Sequence, residues 1–319
     1  MQIVLPGGLV DPAIAPTLTF HIEQKAPNLS EWLRHARPHE MQARAADTLC
    51  TPLELWWLQA NHFTPKPGQA ASAGLAALHA LDTEVHQDRI TGIAQAEPIW
   101  LAQLVHVAPA RDGAALIPAG ELEISPAESV ALFESATECF DGSGFRATPF
   151  DAQHWRIEMP TDYVPHCASP ALVSVTSVND WWKQDAEGRP WRRLVNELQM
   201  LWFDHPVNRD RESRGLRPVN SLWLFGGAAL DQLKPCASHH SNLRVIRALQ
   251  SPALVQDWGS WLLELEHLDK EVFRELSPSS RVVLTGAERI VELTAAQKSW
   301  LDKLLNRKQD WKQWWSAKP

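Results

Sequence analysis

The sequence predicts an α/β protein with a mostly parallel sheet, helices on both faces of that sheet, and an inserted α+β subdomain. Strand-like and helix-like segments alternate at both ends of the chain, which favours parallel strands joined by crossover helices. From Pro98 onward the pattern changes to successive strands with one helix, which is typical of an α+β region. The 319 residues suffice for one or two domains. We expect a core domain from residues 1–95 and 231–319, with residues 96–230 inserted into it.

The first elements are a strand and three helices. Residues 2–5 form an apolar run that ends at Pro-Gly-Gly, which predicts a short buried strand. Residues 26–36 predict a helix, because apolar side chains recur at helical spacing and a proline lies in the first turn. Residues 51–54 (Thr-Pro-Leu-Glu) are a capping-box pattern that begins the next helix. After a loop at residues 65–74, an alanine-rich segment predicts a helix to about residue 79.

The middle of the chain alternates strands with helices. Residues 99–108 predict a strand, and a second capping box at the start of residues 125–140 predicts a helix over that range. Residues 154–159 predict a strand, and residues 192–203 predict a helix with one apolar face. Residues 219–225 predict a strand that leads into two glycines. In the last third we expect, in order, a helix at 243–249, a strand at 261–266, a helix at 268–276, strands at 281–284 and 289–293, and a helix at 294–315.

Composition argues against several classes of protein. The net charge is −8 and no dense run of Lys or Arg occurs, so we expect no nucleic-acid partner. Four dispersed cysteines are too few for a disulfide framework. The first residues lack a charged and then apolar leader pattern, and no apolar run is long enough for a membrane span. We therefore expect a cytoplasmic protein without a membrane span.

Tryptophan is unusually abundant, with 16 residues against one tyrosine. Several tryptophans occur in adjacent pairs, including 56–57, 181–182 and 314–315. Such pairs supply large packing area, with an indole N–H that needs a partner. Tryptophan is also enriched in interaction hot spots, so an aromatic protein-binding patch is the alternative interpretation.

Residues 191–228 concentrate polar groups, tryptophans and helix breakers. Arginine guanidinium groups bind phosphate oxygens in pairs of hydrogen bonds, asparagine amides fix orientation, and a Gly-Gly pair after a strand lets backbone N–H groups approach an anion. The segment thus predicts a site for a phosphorylated or anionic metabolite. The candidate ligand-binding residues are Asn196, Glu197, His205, Asn208, Arg209, Arg211, Arg214, Asn220, Gly226 and Gly227.

Structural roles are open for the same residues. Asn208 and Asn220 are placed to cap turns around two prolines, and the arginines can pair with neighbouring carboxylates on a solvated face. Glu197 and His205 are either a general acid–base pair or members of a buried polar network that fixes the geometry of the segment. The glycine pair alone is also compatible with a sharp turn.

The pattern HPxNxxRxxxGxxPxN…GG within this segment resembles the RpfE-type regulatory proteins of bacteria. Looser matches elsewhere follow the order of that family, including the Leu-Pro start, the 51–54 helix start and the strand near residues 100–112. A more remote similarity is to archaeal-type cofactor-independent phosphoglycerate mutases, of the alkaline-phosphatase superfamily. The resemblance implies an alkaline-phosphatase-like α/β scaffold and a regulatory role.

The sequence departs from the mutases at positions that carry their chemistry. Where those enzymes have a first metal-binding Asp, this chain has Pro6, and where they have an Asp-His pair, it has Ala287 and Glu288. A two-metal phosphotransferase needs several such ligands and a Ser or Thr nucleophile. We therefore expect no catalytic residue, metal or cofactor, and a non-catalytic regulatory protein. The alternatives are a phosphoglycerate mutase-like phosphotransferase with an unrecognised nucleophile, and a tryptophan-rich protein-interaction module.

Three further patterns admit a structural and a functional interpretation. Cys236, His239 and His240 form a loop cluster that would make a zinc site only if it met a second cluster, such as residues 166–167. Ser143 lies between two glycines, and its frame indicates a turn instead of a nucleophile elbow. The basic, tryptophan-rich tail packs on its own domain or docks on a partner.

Overall fold

The computed structural model describes residues 1–81, 94–111, 113–234, 243–295 and 310–316. The chain divides into two compact units, which we call the terminal unit (Met1–Ala46 with Cys236–Pro319) and the central unit (Asp47–Pro235). Both units contain a sheet flanked by helices, so the protein is a mixed α/β structure, as the sequence predicts.

The described residues contain ten strands: β1 (Gln2–Pro6), β2 (Ala36–Gln42), β3 (Ile99–Ala110), β4 (Gly113–Ile117), β5 (Arg146–Pro149), β6 (His154–Glu158), β7 (Ser221–Ala228), β8 (Leu243–Val245), β9 (Arg281–Thr285) and β10 (Arg289–Ala295). They also contain thirteen α-helices: α1 (Ala15–Lys25), α2 (Pro27–Leu33), α3 (Ala45–Thr48), α4 (Pro52–Ala60), α5 (Gly74–Leu81), α6 (Pro126–Phe140), α7 (Pro170–Val175), α8 (Val178–Trp181), α9 (Arg189–Trp202), α10 (Pro206–Ser213), α11 (Gln250–Leu254), α12 (Trp258–Glu271) and α13 (Trp311–Trp315).

The terminal unit has a five-stranded sheet in the order β2-β10-β9-β1-β8. β1 is parallel to both β8 and β9, whereas β10 is antiparallel to β9 and to β2. The sheet is therefore mixed instead of mostly parallel. The reason is the short connection between β9 and β10, in which Gly286 N–H donates to Arg289 O at 2.9 Å. A connection this short can only join antiparallel neighbours.

The core of the terminal unit lies between this sheet and its helices. Ile3 and Leu5 of β1 pack with apolar residues of α1, α2 and α12 in one buried cluster. Trp261, Trp311 and Trp315 belong to the same cluster. Tryptophan supplies much of this core because one indole ring buries a large apolar area.

The central unit is built on an antiparallel sheet in which β3 pairs with β4, β6 and β7, and β5 pairs with β6. Side chains of a strand alternate between the two faces of a sheet. One face carries Ala102, Trp155 and Leu222, which pack in a buried cluster with α6 and α9. On the other face, Gln103 lies opposite His154 on β6 and opposite Trp223 on β7.

The unit boundaries differ from the expected domain boundaries at one end only. The central unit ends at residue 235, close to the expected 230, but begins at residue 47 and not at 96. The reason is that α5 packs on β3 and β7 of the central sheet, and α4 packs on α5. Helical periodicity shows that a segment is amphipathic, but it does not show which sheet the apolar face covers.

Several predicted elements are corrected by the structure. The expected helix at 243–249 begins as the short strand β8, which pairs with β1. The expected strand at 261–266 lies inside α12, which also contains residues 268–271 of the helix expected at 268–276. In the expected tail helix at 294–315, Thr294 and Ala295 end β10, residues 311–315 are helical, and residues 296–309 lie outside the described part. Within the described ranges, no helix has the length and apolar character that a bilayer crossing requires.

Candidate functional site

Asn208 joins three parts of residues 191–228, which we call the motif segment. Its side chain is 2% exposed, and its amide group donates to Trp202 O and Val219 O, both at 2.8 Å. Its carbonyl oxygen accepts from Val219 N at 2.8 Å. Each amide proton and the carbonyl oxygen thus have a backbone partner, so Asn208 fixes the end of α9 against the entry to β7.

Arg211 is fully buried and bonds inside the central unit. Its guanidinium group donates to Arg217 O at 2.8 Å, to Leu122 O, and to the Glu128 carboxylate at 3.1 Å. Arg214, which is about half exposed, donates to the other oxygen of Glu128 at 2.6 Å. The two arginines therefore converge on one carboxylate.

Glu128 is also the N3 residue of the capping box that begins α6, whose N-cap is Ser125. Its carboxylate accepts from Ser125 N at 2.7 Å and from the Ser125 hydroxyl at 2.9 Å. Burial of the carboxyl group raises its pKa, but the hydrogen bonds from Ser125 and Arg214 and the charge of Arg211 outweigh burial and lower the pKa to about 2. Glu128 therefore stays ionised and neutralises the arginines beside it.

Asn220 continues the pairing of β3 with β7 through its side chain. Its amide oxygen accepts from Val107 N at 2.7 Å, and its amide nitrogen donates to Val107 O at 2.9 Å. His106 nearby bonds Pro218 O at 2.8 Å. The side chain of Asn220 thus replaces a backbone partner at the start of β7.

The other polar candidates lie on the surface. Arg209 is 3.6 Å from Asp204, and both side chains are mostly exposed. Glu197 accepts from Arg193 at 3.0 Å, one helical turn away, and Asn196 is exposed beside it. His205 is the N-cap of α10, where its Nδ1 accepts from Val207 N at 3.2 Å.

Gly226 and Gly227 lie within β7 and are buried. Their φ angles are 109° and 111°, and the pairing of β7 with β3 shifts register beside Trp100. A Cβ atom on Gly227 would lie 2.6 Å from the Trp100 ring, and one on Gly226 would lie 2.5 Å from Ile99 O. The glycines therefore permit an irregular strand that packs closely on β3.

A cleft in the central unit, which we call the tryptophan cleft, has walls of aromatic side chains. Its cavity volume is about 60 Å³, and its aromatic lining residues are Tyr163, Trp181, Trp182, Trp191 and Trp223. Among the described residues that line it, none belongs to the ten candidates of the motif segment. The sequence motif did not predict this cleft. The tryptophan pair at 181–182, noted in the sequence as packing area or an aromatic patch, forms part of its lining.

Hydrogen bonds and ring contacts hold these aromatic walls in place. The Trp223 indole N–H donates to Ala168 O at 2.8 Å, and the Trp181 indole N–H donates to Thr176 Oγ1 at 2.9 Å. The rings of Trp182 and Trp223 lie 5.5 Å apart at 40°. Because the indole N–H groups of two wall residues are already bonded, those rings present their apolar surfaces as fixed walls.

The polar lining of the cleft is mostly cationic or neutral. Lys183 and Arg192 line it together with Glu187. The Arg192 guanidinium group donates to three backbone carbonyls of residues 183–185, including Asp185 O at 2.9 Å, and thereby fixes the loop that carries Lys183. The Lys183 side chain is exposed at the rim, which leaves its ammonium group available to a ligand.

Two neutral groups with shifted pKa values also line the cleft. Burial raises the pKa of the Cys167 thiol to about 12, although the positive charge of Lys183 acts in the opposite direction. Burial also raises the pKa of the Tyr163 hydroxyl to about 12. Both groups are therefore protonated at neutral pH, and the ammonium group of Lys183 is close enough to influence the thiol.

The remaining sequence patterns have structural surroundings or lie outside the described residues. The Ser143 hydroxyl donates to Phe140 O at 2.7 Å in the turn after α6. In the tail, the Trp315 indole N–H donates to Gly8 O at 3.1 Å, and Lys312 pairs with Glu23 at 2.8 Å, so the described part of the tail packs on its own unit. The cluster of Cys236, His239 and His240 lies outside the described residues, whereas residues 166–167 line the cleft.

The positions that correspond to metal ligands of the mutases, Pro6, Ala287 and Glu288, lie in the terminal unit. Among the described residues of this unit, no three carboxylate, imidazole or thiolate groups lie together. Asp269 is buried, and its carboxylate accepts from Leu29 N at 2.8 Å and from the Asn28 amide at 2.9 Å. It therefore caps the start of α2.

Comparison with known proteins gives a remote structural similarity. No family model and no curated protein matches the chain. A cofactor-independent phosphoglycerate mutase from Thermoplasma acidophilum is similar at 12% identity with a TM-score of 0.34, over 98% of this chain and 94% of that chain. A protein from Pyrococcus horikoshii is similar at 11% identity with a TM-score of 0.41, over 92% of this chain and 86% of that chain. At these values nothing about activity follows, and the RpfE-type relationship stays a prediction.

Proposed function

We propose that the protein is a non-catalytic regulatory protein whose central unit binds an anionic small molecule in the tryptophan cleft. The observation that carries the proposal is the combination of fixed aromatic walls with the Lys183 ammonium group at their rim. The regulatory role itself is taken from the resemblance to the RpfE-type family. A phosphorylated metabolite is the ligand class that this resemblance favours.

The lining of the cleft suits one part of a small molecule. The cleft is open to solvent and its cavity volume is about 60 Å³, so we expect it to hold a ring of the ligand and not to enclose a whole ligand. Mostly apolar walls with a few polar groups are typical of ligand pockets. A ligand with a planar apolar part would pack against the exposed surfaces of the aromatic rings in these walls, because aromatic rings gain contact area in offset or edge-on packing.

The charges at the cleft favour an anionic group on the ligand. Lys183 is a flexible point charge that suits phosphate or carboxylate oxygens. Arg192 already donates to backbone carbonyls, so it adds positive potential and rigidity. Glu187 is the single acidic group among the described lining residues, and Asp185 also acts electrostatically on Tyr163. The exposed ammonium group of Lys183 is therefore the group that favours an anion.

The chemistry of the cleft favours binding over catalysis. A thiol acts as a nucleophile in its thiolate form, and a tyrosine hydroxyl acts as a base only when ionised. Because burial raises the pKa of both Cys167 and Tyr163 to about 12, both stay protonated at neutral pH. A phosphotransferase would need an activated nucleophile instead.

The ligand class is tested by thermal unfolding of the metal-stripped protein with phenyl phosphate, 3-phosphoglycerate, inorganic phosphate and the neutral analogue phenol. A ligand that binds only the folded state stabilises it by about 2.7 kcal/mol at a hundredfold excess over its dissociation constant. We expect the unfolding temperature to rise most with phenyl phosphate and little with phenol. An equal rise with phenol and phenyl phosphate would contradict the anionic preference.

The same assay separates the alternatives. Stabilisation by 3-phosphoglycerate alone, together with its turnover, would favour the phosphotransferase. Loss of the phenyl phosphate effect in Arg209→Ala, with no effect of Lys183→Ala, would move the ligand to the motif segment. No stabilisation by any of the four compounds would contradict the proposal and favour the protein-interaction module.

A further inference from the structure

A cluster of two imidazoles and one carboxylate lies in the central unit, apart from the tryptophan cleft residues. His79 is in the last part of α5, Asp151 lies in the turn between β5 and β6, and His154 is the first residue of β6. One oxygen of Asp151 accepts from Gln153 N at 2.7 Å, a contact that fixes the turn. The chain therefore brings a helix and a strand connection together at this point.

The three side chains are close enough to share one ion. His79 Nε2 lies 2.9 Å from Asp151 Oδ2, and His154 Nδ1 lies 2.9 Å from Asp151 Oδ1. One nitrogen or oxygen from each residue lies within 4.8 Å of the others. Ligand atoms of a tetrahedral site with metal bonds of about 2.0–2.1 Å are roughly 3.3 Å apart. Small rotations of the side chains therefore suffice to place an ion between them.

A neighbouring amide orients one of the imidazoles. Gln103 on β3 is the registered partner of His154 on β6, and the Gln103 amide lies 2.9 Å from His154 Nε2. A histidine that binds metal through one ring nitrogen usually bonds a neighbour through the other. In the orientation described, the amide nitrogen of Gln103 faces Nε2 and donates to it. Reversal of the amide places its oxygen there, where it accepts from Nε2–H and leaves Nδ1 to bind the ion.

The surroundings of the cluster combine rigidity with access. The His79 and His154 rings are 4.4 Å apart, and each also contacts a phenylalanine ring, Phe150 and Phe225 respectively, at 5.9 Å. The His154 side chain is 7% exposed and that of His79 is 35% exposed. An ion would thus be held on the buried side and reached by water on the His79 side.

The three groups are chemically suited to a cation. One carboxylate beside two imidazoles is a favourable set of ligands for a divalent transition-metal ion.

We propose that His79, Asp151 and His154 bind one divalent transition-metal ion such as Zn²⁺, with water completing its coordination. Two nitrogen ligands and one oxygen ligand suit ions of this class better than Mg²⁺ or Ca²⁺. The ion would link α5 to the β5–β6 turn and so stabilise the central unit. This site is independent of the proposed anion site, because it shares no residue with the lining of the tryptophan cleft.

The test uses the untagged full chain, stripped of metal and titrated with Zn²⁺ by calorimetry and with Co²⁺ by visible absorption. We expect one ion per chain and cobalt bands that indicate nitrogen and oxygen ligands. The variants His79→Asn and Asp151→Asn should weaken binding at least tenfold, since even the loss of a supporting contact costs about 10–100-fold. The control is His62→Asn, an exposed histidine of the same unit, which should bind as the wild type does.

Folding is checked separately, by thermal unfolding of each metal-free variant. His79→Asn is the decisive variant because its side chain is partly exposed, so its loss leaves a smaller cavity than loss of His154. Absence of Zn²⁺ and Co²⁺ binding by the wild-type chain would overturn the proposal. Equal affinity of wild type, His79→Asn and Asp151→Asn would also overturn it. Binding of phenyl phosphate should be the same in wild type and in His79→Asn, which separates this site from the anion site.

Discussion

At the scale of single residues, the motif segment is dominated by side chains that bond the backbone of their own unit. Asn208 and Arg211 are buried, and Asn220 completes a strand pairing. The sequence singled these residues out correctly as unusual polar groups, and it left open whether they bind a ligand or hold turns. Residue types and spacing cannot decide this, because the same amide and guanidinium groups bond carbonyl oxygens and phosphate oxygens alike.

Asn208→Ala should destabilise the protein. The substitution removes three hydrogen bonds and leaves the buried carbonyls of Trp202 and Val219 without this partner. We expect the free energy of unfolding to fall by about 2–4 kcal/mol, as measured by urea denaturation. The exposed Asn196→Ala is the matched control and should change it by less than about 0.5 kcal/mol. Similar values for the two variants would contradict the structural role of Asn208.

Glu128 makes stability depend on acid pH. Because the pKa of its carboxyl group falls from 4.5 to about 2 in the folded chain, ionised Glu128 stabilises the fold above pH 4.5, and this contribution is lost as the pH falls towards 2. The shift corresponds to roughly 3 kcal/mol. We expect the urea midpoint of the wild type to fall more steeply between about pH 5 and pH 3 than that of Glu128→Gln.

Glu134→Gln, an exposed carboxylate on the same helix, is the control for this measurement. Its urea midpoint should follow the wild-type pH dependence. Parallel curves for wild type and Glu128→Gln would contradict the assigned role of the ion pairs with Arg211 and Arg214.

At the scale of elements, local signals in the sequence predicted some helices well and others not at all. The capping boxes at Thr51 and Ser125 are both formed, and α4 and α6 begin where these patterns place them. The prediction of a strand at 261–266 was wrong because it depended on a short apolar alternation. Trp261, Leu265 and Leu268 instead follow the helical spacing of α12. β8 was missed because its three residues form a strand through pairing with β1, which local sequence does not reveal.

The candidate site shows the same division between local and long-range information. The tryptophans at 181–182 and the residues at 166–167 drew attention in the sequence, and both pairs line the cleft. Trp223 is distant from these residues in the sequence, and only the folded chain brings it to the same cleft. The proposed role of Lys183 in anion binding depends on this arrangement. The cluster of His79, Asp151 and His154 was missed because His79 is 72 residues from Asp151 and meets it only when α5 packs on the sheet.

The glycine pair of β7 gives a prediction at this scale. Gly226→Ala should be strongly destabilising, because its φ angle is 109° and a Cβ atom would meet Ala76 and Ile99 O. Positive φ and steric overlap each cost on the order of 1–3 kcal/mol, so we expect a loss of about 3 kcal/mol in urea denaturation. Gly120→Ala, where a Cβ atom meets nothing within 4 Å, is the control. A loss below about 1 kcal/mol in Gly226→Ala would contradict the packing role.

At the scale of the whole molecule, the chain is two α/β units, one of them formed by both ends of the chain. The fold class was predictable because alternating strand and helix patterns are local properties. The boundary at residue 47 was not, because α4 and α5 look like helices of any α/β unit until their packing partners are known. The central unit holds both proposed sites, so we propose that it is the unit that binds ligands.

The most direct test of this assignment is calorimetric titration of phenyl phosphate into the wild type, Lys183→Ala and Lys66→Ala. Lys66 is an exposed lysine of the same unit that does not line the cleft. Loss of a charge-assisted contact of about 1.5–3 kcal/mol corresponds to tenfold or more in affinity. We predict that Lys183→Ala binds phenyl phosphate at least about tenfold more weakly than wild type, while Lys66→Ala binds it equally well. Equal affinities in all three proteins would contradict an anion site in the tryptophan cleft.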